Sequence, residues 1–172
     1  MEKRLLHIYT GNGKGKTTAA LGLCMRAAGR GWSALVVQFM KGMDYGELNS
    51  FASVPGVAIE QYGREGFVDK CHPDSGDPGR AARALERARG ALASGEYDLV
   101  VLDEVNVAIE FKLLRPVDVV AALQERHPRT EAVCTGRYAP DEILAIADLV
   151  TEMREIKHPY AQGIAAREGI EF

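Results

Sequence analysis

Little in this chain favours a bilayer, a disulfide scaffold or a polyanion. No apolar run approaches the length needed to span a membrane, and no signal-peptide pattern opens the sequence, which together lead to the expectation of a cytoplasmic protein. The 3 cysteines, Cys24, Cys71 and Cys134, are odd in number and widely spaced, so they make no disulfide framework. No Cys-x-x-Cys pair suggests zinc, and Cys24 and Cys134 sit in apolar stretches that read as core. A net charge of −3 gives no support to a nucleic-acid binder or a membrane-surface protein. Internal repeats, linkers and low-complexity blocks are missing, as are a Ser/His/Asp arrangement and an isolated pair of carboxylates for acid–base work. His72 lies near Cys71, Asp69 and Asp74, but that spacing follows no metal-site pattern. At 172 residues the expectation is one domain, residues 1–172, with a real core.

What the chain does have begins at its first apolar run. Leu5 to Tyr9 reads as a strand, and Lys16 to Ala28 as an alanine-rich helix stopped by Gly29 and Gly31. Between them lies Thr10-Gly11-Asn12-Gly13-Lys14-Gly15-Lys16-Thr17-Thr18. Strand, glycine-rich loop, Gly-Lys-Thr and helix form the context of a phosphate-binding loop. Three glycines let the backbone wrap so that N–H groups converge on one anion, and the helix adds the positive end of its dipole. Lys16 is placed to reach terminal phosphates and Thr17 to ligate Mg²⁺. The usual pattern is a glycine, four intervening residues, then Gly-Lys; here the first position is Thr10, and the glycine follows at Gly11.

The rest of the chain alternates strands with helices. Strands are expected at 33–39, 57–61, 98–102, 129–134 and 149–153, and helices at 47–53, 79–94, 105–112, 117–125 and 140–147. Residues 62–78 form the least regular stretch, and the tail from Lys157 shows no clear period. The arginines of 79–94 read as a solvated face. This order gives an α/β protein with a mostly parallel sheet and helices on both faces. Four polar clusters fall at strand C-terminal ends, where such sheets bind ligands: the loop, Gln38 to Lys41, Asp103-Glu104, and Thr135-Gly136-Arg137. Asp103-Glu104 suits Mg²⁺ or its water shell beside Thr17, and also suits a helix N-cap. Arg137 and Lys41 are candidates to meet a phosphate or the ribose.

The set Gly11-Asn-Gly-Lys-Gly-Lys-Thr-Thr-Ala-Ala20, Val37-Gln-Phe-Met-Lys-Gly42, Val101-Leu-Asp-Glu104, Thr135-Gly-Arg137, Ala147-Asp-Leu-Val-Thr-Glu-Met153, Lys157-His158 and Gly169-Ile-Glu-Phe172 resembles the phosphate-loop type of cob(I)alamin (corrinoid) adenosyltransferase. The resemblance spans nearly the whole chain and keeps the family's order. It implies a P-loop NTPase-like, RecA-like fold. It implies transfer of the 5′-deoxyadenosyl group from ATP to the cobalt of a reduced corrinoid, with Co(I) attacking C5′ and inorganic triphosphate leaving. The loop then holds the phosphates as a leaving group, with the nucleotide placed in an unusual sense.

Carried over by residue, the resemblance implies that Gly11, Asn12, Gly13, Lys14, Gly15, Lys16, Thr17 and Thr18 bind ATP. Thr17, Glu104 and Asp103 would hold Mg²⁺, and Arg26 would touch the nucleotide. Gln38 and Lys41 would line the adenosine or corrinoid side, and Phe67 would press on the corrin. It further implies a homodimer and a reductant, a flavoprotein or another donor. The chain departs from some members in lacking a Phe-x-Trp pair: Asp69 follows Phe67, and the one tryptophan is Trp32. It begins directly at the first strand, so another segment or a partner chain is expected to close the site. No Asp-x-His-x-x-Gly, the signature of cobalt ligation by histidine, is present. Two alternatives stay open: another P-loop kinase or ATPase, and a non-catalytic nucleotide-dependent corrinoid carrier.

Overall fold

The computed structural model describes residues 3–66, 70 and 74–172. Among the described residues six strands form one sheet: β1 (Leu6–Thr10), β2 (Ala34–Gln38), β3 (Val57–Gln61), β4 (Leu99–Asp103), β5 (Glu131–Thr135) and β6 (Leu149–Glu152). Their order is β3-β2-β4-β5-β1-β6, and every pairing is parallel, so the expected "mostly parallel" sheet is wholly so. Strand β5 separates the loop strand β1 from β4, the strand that ends in Asp103.

Among the described residues six α-helices accompany the sheet: α1 (Lys16–Ala28), α2 (Gly46–Phe51), α3 (Asp77–Ser94), α4 (Val105–Glu110), α5 (Pro116–Gln124) and α6 (Asp141–Leu144). The two sheet faces follow from side-chain alternation. Leu35, Val37, Val100 and Leu102 pack on one face with Ala84, Ala88, Leu92, Ala108, Val119 and Ile143, from α3, α4, α5 and α6. Ala34, Val36, Leu99 and Val101 point to the other face, under Ala20, Cys24 and Ala27 of α1 and Phe51 of α2. The central strands β2 and β4 are buried throughout, which explains their unbroken apolar sequence. Each fully buried leucine or isoleucine in this core contributes about 1.5–3 kcal/mol. Burial pushes the Cys24 and Cys134 thiols up to about 12, in keeping with core residues.

The boundaries differ from expectation in a few places. Helix α3 starts at Asp77, because Pro78 sits in the first turn, where its missing N–H costs nothing. Three of its four arginines are paired: Arg87 with Glu60, Arg80 with Asp77, and Arg89 with Glu125. Helix α4 ends at Glu110, before Lys112 takes a left-handed φ of 59°. Helix α6 is only one turn long. The tail contains a short 3-10 helix, Pro159–Gln162, capped by His158 Nδ1 accepting from the Tyr160 N–H.

The strand register brings the polar ends together. Gln38 pairs with both Gln61 and Asp103, and Tyr9 with Thr135, so β1, β2, β3, β4 and β5 end along one edge.

Candidate active site

The phosphate loop runs from β1 into α1 along this edge. Its one-residue glycine shift has a steric cause. Gly11 carries φ +93°, and a Cβ built there would lie 2.5 Å from the Met153 carbonyl oxygen. The glycine requirement therefore falls on position 11. Thr10, one residue earlier, is still strand, and its Oγ1 accepts from the Ala139 N–H at 3.3 Å. Gly13 is equally confined: its N–H donates to Met153 O at 2.6 Å. The segment after β6 thus braces the loop from outside. Gly15, at φ +113°, turns the chain into α1, whose first residue is Lys16.

Lys16 is buried and folds back, donating to Gly13 O at 2.6 Å and Gly11 O at 2.9 Å. Burial holds its ammonium below the ordinary lysine range, against the opposing pull of Glu104 and Asp103. An ammonium in that state gains from an anion placed beside it.

Asp103 is fully buried and is the hub of the site. Its Oδ1 accepts from Thr17 Oγ1 at 2.8 Å and Thr135 Oγ1 at 2.7 Å. Its Oδ2 accepts from Lys41 Nζ at 2.8 Å and Gln38 Nε2 at 3.2 Å. Asp103 caps no helix; the N-cap of α4 is Glu104, in a left-handed conformation (φ 66°) with its N–H donating to Thr135 Oγ1 at 2.9 Å. Such a backbone costs a β-carbon residue free energy and is typical of functional positions. Burial, then the neighbouring Asp103 charge, raises the Glu104 pKa, while Lys41, Lys16 and Arg137 offset part of the rise. For Lys41, burial acts against the charge, but Asp103 outweighs it and the net shift is upward.

The nucleotide-sized cavity at this edge measures about 680 Å³. Its walls include Gly13 to Thr18, Lys41, Tyr45, Glu47, Glu104, Arg137 and His158, with Gly169 to Phe172 as a roof. Lys14 ties that roof down, donating to Glu171 Oε1 at 2.6 Å and Ile170 O at 3.0 Å. A second cavity of about 280 Å³ adjoins it, lined by Phe39, Met40, Met43, Gly66, Val107 and Phe111. Lys41, Tyr45 and Glu104 line both.

Of the residues singled out from sequence, the fold gathers the loop from Gly13 to Thr18 with Lys41, Glu104 and Arg137 around the larger cavity, with Gln38 and Asp103 behind. Gly11 contributes its carbonyl to Lys16, and Asn12 is exposed on the loop. Arg26 is held apart: it is exposed in the last turn of α1, roughly 15 Å along the helix from Lys16. Phe67, with Asp69, Cys71 and His72, lies outside the described residues. Sequence reasoning missed Gln61, Glu47, Tyr45 and Glu171. Gln61 Nε2 donates to Gln38 Oε1 at 3.0 Å, and Gln38 Nε2 donates to Glu47 Oε1 at 3.0 Å. Gln61 ends a strand on the same edge, a signal that was there to be used. The others are brought in by tertiary contact.

A divalent cation would meet the Thr17 hydroxyl and the Asp103 and Glu104 carboxylates, all hard oxygen donors that suit Mg²⁺. Among the described residues no group of three or more His, Cys, Asp or Glu side chains forms a metal cage. The donor set therefore suits an ion whose remaining ligands are phosphates and water. Among the described residues no helix is long and apolar enough to cross a membrane.

A phosphate loop, a lysine and a threonine at the start of α1, and an acidic strand end across β5 define a P-loop NTPase-like nucleotide-binding protein. The chain matches, over residues 2–172, the family described as ATP:corrinoid adenosyltransferase BtuR/CobO/CobP, and it belongs to that family. It is 38% identical to a corrinoid adenosyltransferase of Sinorhizobium sp over 99% of this chain and 81% of the relative. It is 38% identical to one from Pseudomonas aeruginosa, over 99% and 85%, and 35% identical to one from Escherichia coli K12, over 99% and 87%.

Proposed function

We propose that this chain, as one domain, transfers the 5′-deoxyadenosyl group of ATP to the cobalt of a reduced corrinoid. One observation carries the reading: a phosphate-binding cavity and an apolar cavity meet at a shared wall of Lys41, Tyr45 and Glu104. A phosphoryl-transfer enzyme needs its acceptor at the γ-phosphate. Transfer at C5′ needs a bulky, largely apolar acceptor beside the nucleoside instead, and the second cavity supplies the start of such a surface. The electron pair of Co(I) forms the Co–C5′ bond, the C5′–O bond breaks, and inorganic triphosphate carries the electrons away.

In this reading the loop N–H groups and Lys16 stabilise the charge that grows on the departing triphosphate. Lys16 exchanges the Gly11 and Gly13 carbonyls for phosphate oxygens. Mg²⁺, held by Thr17, Asp103 and Glu104, supplies further charge neutralisation when bound. Arg137 faces the same anion. Lys41, Phe39 and Met43 form the boundary with the acceptor, Gln38 supports it from behind through Asp103 and Glu47, and Phe67 is assigned to that side. Arg26, exposed in the last turn of α1 and absent from the cavity walls, is given no contact in this scheme. The reading also takes the enzyme as a cytoplasmic homodimer served by a flavoprotein or another reductant that makes Co(I).

The test is a product assay with ATP, Mg²⁺ and a chemically reduced corrinoid. The expected outcome is a light-sensitive Co–C product and inorganic triphosphate in equal amounts. ADP and phosphate alone would make the protein a kinase or ATPase, and corrinoid and ATP binding without turnover would make it a carrier.

A further inference from the structure

Asp103 has no acceptor site to spare. An ionised carboxylate offers about four lone-pair positions. Thr17 and Thr135 take those of Oδ1, and Lys41 and Gln38 take those of Oδ2. Thr135 and Gln38 are buried strand ends, held by the sheet. Lys41 stands on the loop after β2, on a long flexible side chain, and it is the charged member of the set. Its Nζ also lies 3.4 Å from Thr17 Oγ1. The ammonium therefore fills the space between the threonine and the carboxylate that a nucleotide-borne divalent cation would share. A second harbour is close by: Glu47 Oε1 is 3.7 Å from the same Nζ, and the Tyr45 ring centre is 5.1 Å away.

We propose that Lys41 is a built-in counter-cation that competes with the divalent metal for Asp103 and Thr17, and that metal binding drives it toward Glu47 and Tyr45. The inference deepens the proposed function and rests on its placement of the metal. Two like charges cannot share a buried carboxylate without repulsion, so ion and ammonium exclude each other. Lys41 and Tyr45 also wall the apolar cavity, so the exchange changes the charge and shape of the acceptor's side as the nucleotide arrives. Lys41 acts here as a positioning residue, through Asp103.

The test is Mn²⁺ binding to the nucleotide-free protein, followed by electron paramagnetic resonance. Lys41→Met and Lys41→Gln, checked for an unchanged melting profile, are each expected to bind Mn²⁺ about tenfold more tightly than the parent. Lys41→Arg, which keeps the cation, stays close to the parent. Equal or weaker binding by both neutral variants, including binding too weak to detect throughout, overturns the proposal. Failure of the parent to take up Mn²⁺ even with ATP present would instead remove the metal site itself, and with it that part of the proposed function.

Discussion

On the nucleotide side of Lys41, Tyr45 and Glu104 the walls are backbone amides and charge; on the other side they are apolar side chains. The first wall tolerates few residue types. Gly11 and Gly13 have no room for a Cβ beside Met153 O, and Lys16, Thr17 and Asp103 each hold a partner at 2.9 Å or less. The second wall, Phe39, Met40, Met43, Val107 and Phe111, needs only apolar volume of about the right shape. A wall set by hydrogen bonds fixes sequence, whereas a wall set by volume leaves it free. In the proposed reading function divides the same way: one side stabilises a leaving group, and the other receives an acceptor.

The largest effect expected from any single change is on the first side. Lys16→Ala should lower kcat by about 10³-fold, the scale of losing a preorganised charge donor at a departing anion. Corrinoid affinity, measured by equilibrium spectroscopy without nucleotide, should stay within about twofold of the parent, since Lys16 does not line the apolar cavity. Unchanged turnover would remove the loop from the mechanism. Loss of both turnover and corrinoid binding would show that the two cavities are one site energetically.

The same contrast governs what could be read before the fold was known. Strands β2 and β4 were legible because burial on both faces enforces an unbroken apolar run. The strand-end clusters were legible because a parallel sheet brings them to one edge. Gly11 to Thr18 was legible as a phosphate loop, although the reason for its shifted glycine, the Met153 carbonyl, is a contact 142 residues away in sequence. Such long-range contacts have no local period. Hence Gly169 to Phe172 is legible as a motif but not as the roof of the cavity, and the Glu47–Gln38–Gln61 chain has no sequence signal as a chain. Helix α3 starts two residues before the expected 79 because Pro78, a breaker in a helix interior, suits a first turn. Arg26 rested on family resemblance alone, and its place at the far end of α1 follows from the straight rise of the helix.

A middle-sized effect should come from the second side. Met43→Ala removes partly buried apolar surface from the smaller cavity and leaves the loop untouched. Its expected result is a KM for corrinoid raised about 5–10-fold, as for the loss of a methionine contact worth roughly 1 kcal/mol or slightly more. The KM for ATP should stay the same. A change confined to ATP would reverse the assignment of the two cavities.

The smallest effect belongs to the roof of the nucleotide cavity. Glu171 accepts from Lys14 at 2.6 Å, from the Arg167 N–H at 2.7 Å, and from the Arg167 side chain at 3.2 Å. The Arg167 and Lys14 hydrogen bonds hold its carboxyl at about 2, well below the ordinary glutamate value. A depressed carboxylate pKa means that the tether is fully present above the unfolded value, about 4.3, and fades only as the pH falls from there toward 2. Near neutrality the roof should therefore be indifferent to pH but sensitive to salt, because its ion pairs are solvent-exposed. Glu171→Gln should raise amide exchange across residues 167–172 and shift the KM for ATP by less than about threefold. Adding about 0.5 M NaCl to the parent should mimic the substitution. Equal exchange in parent and variant at low salt would mean that the roof is held by its apolar contacts rather than by Lys14, and the nucleotide side would then share the character of its neighbour.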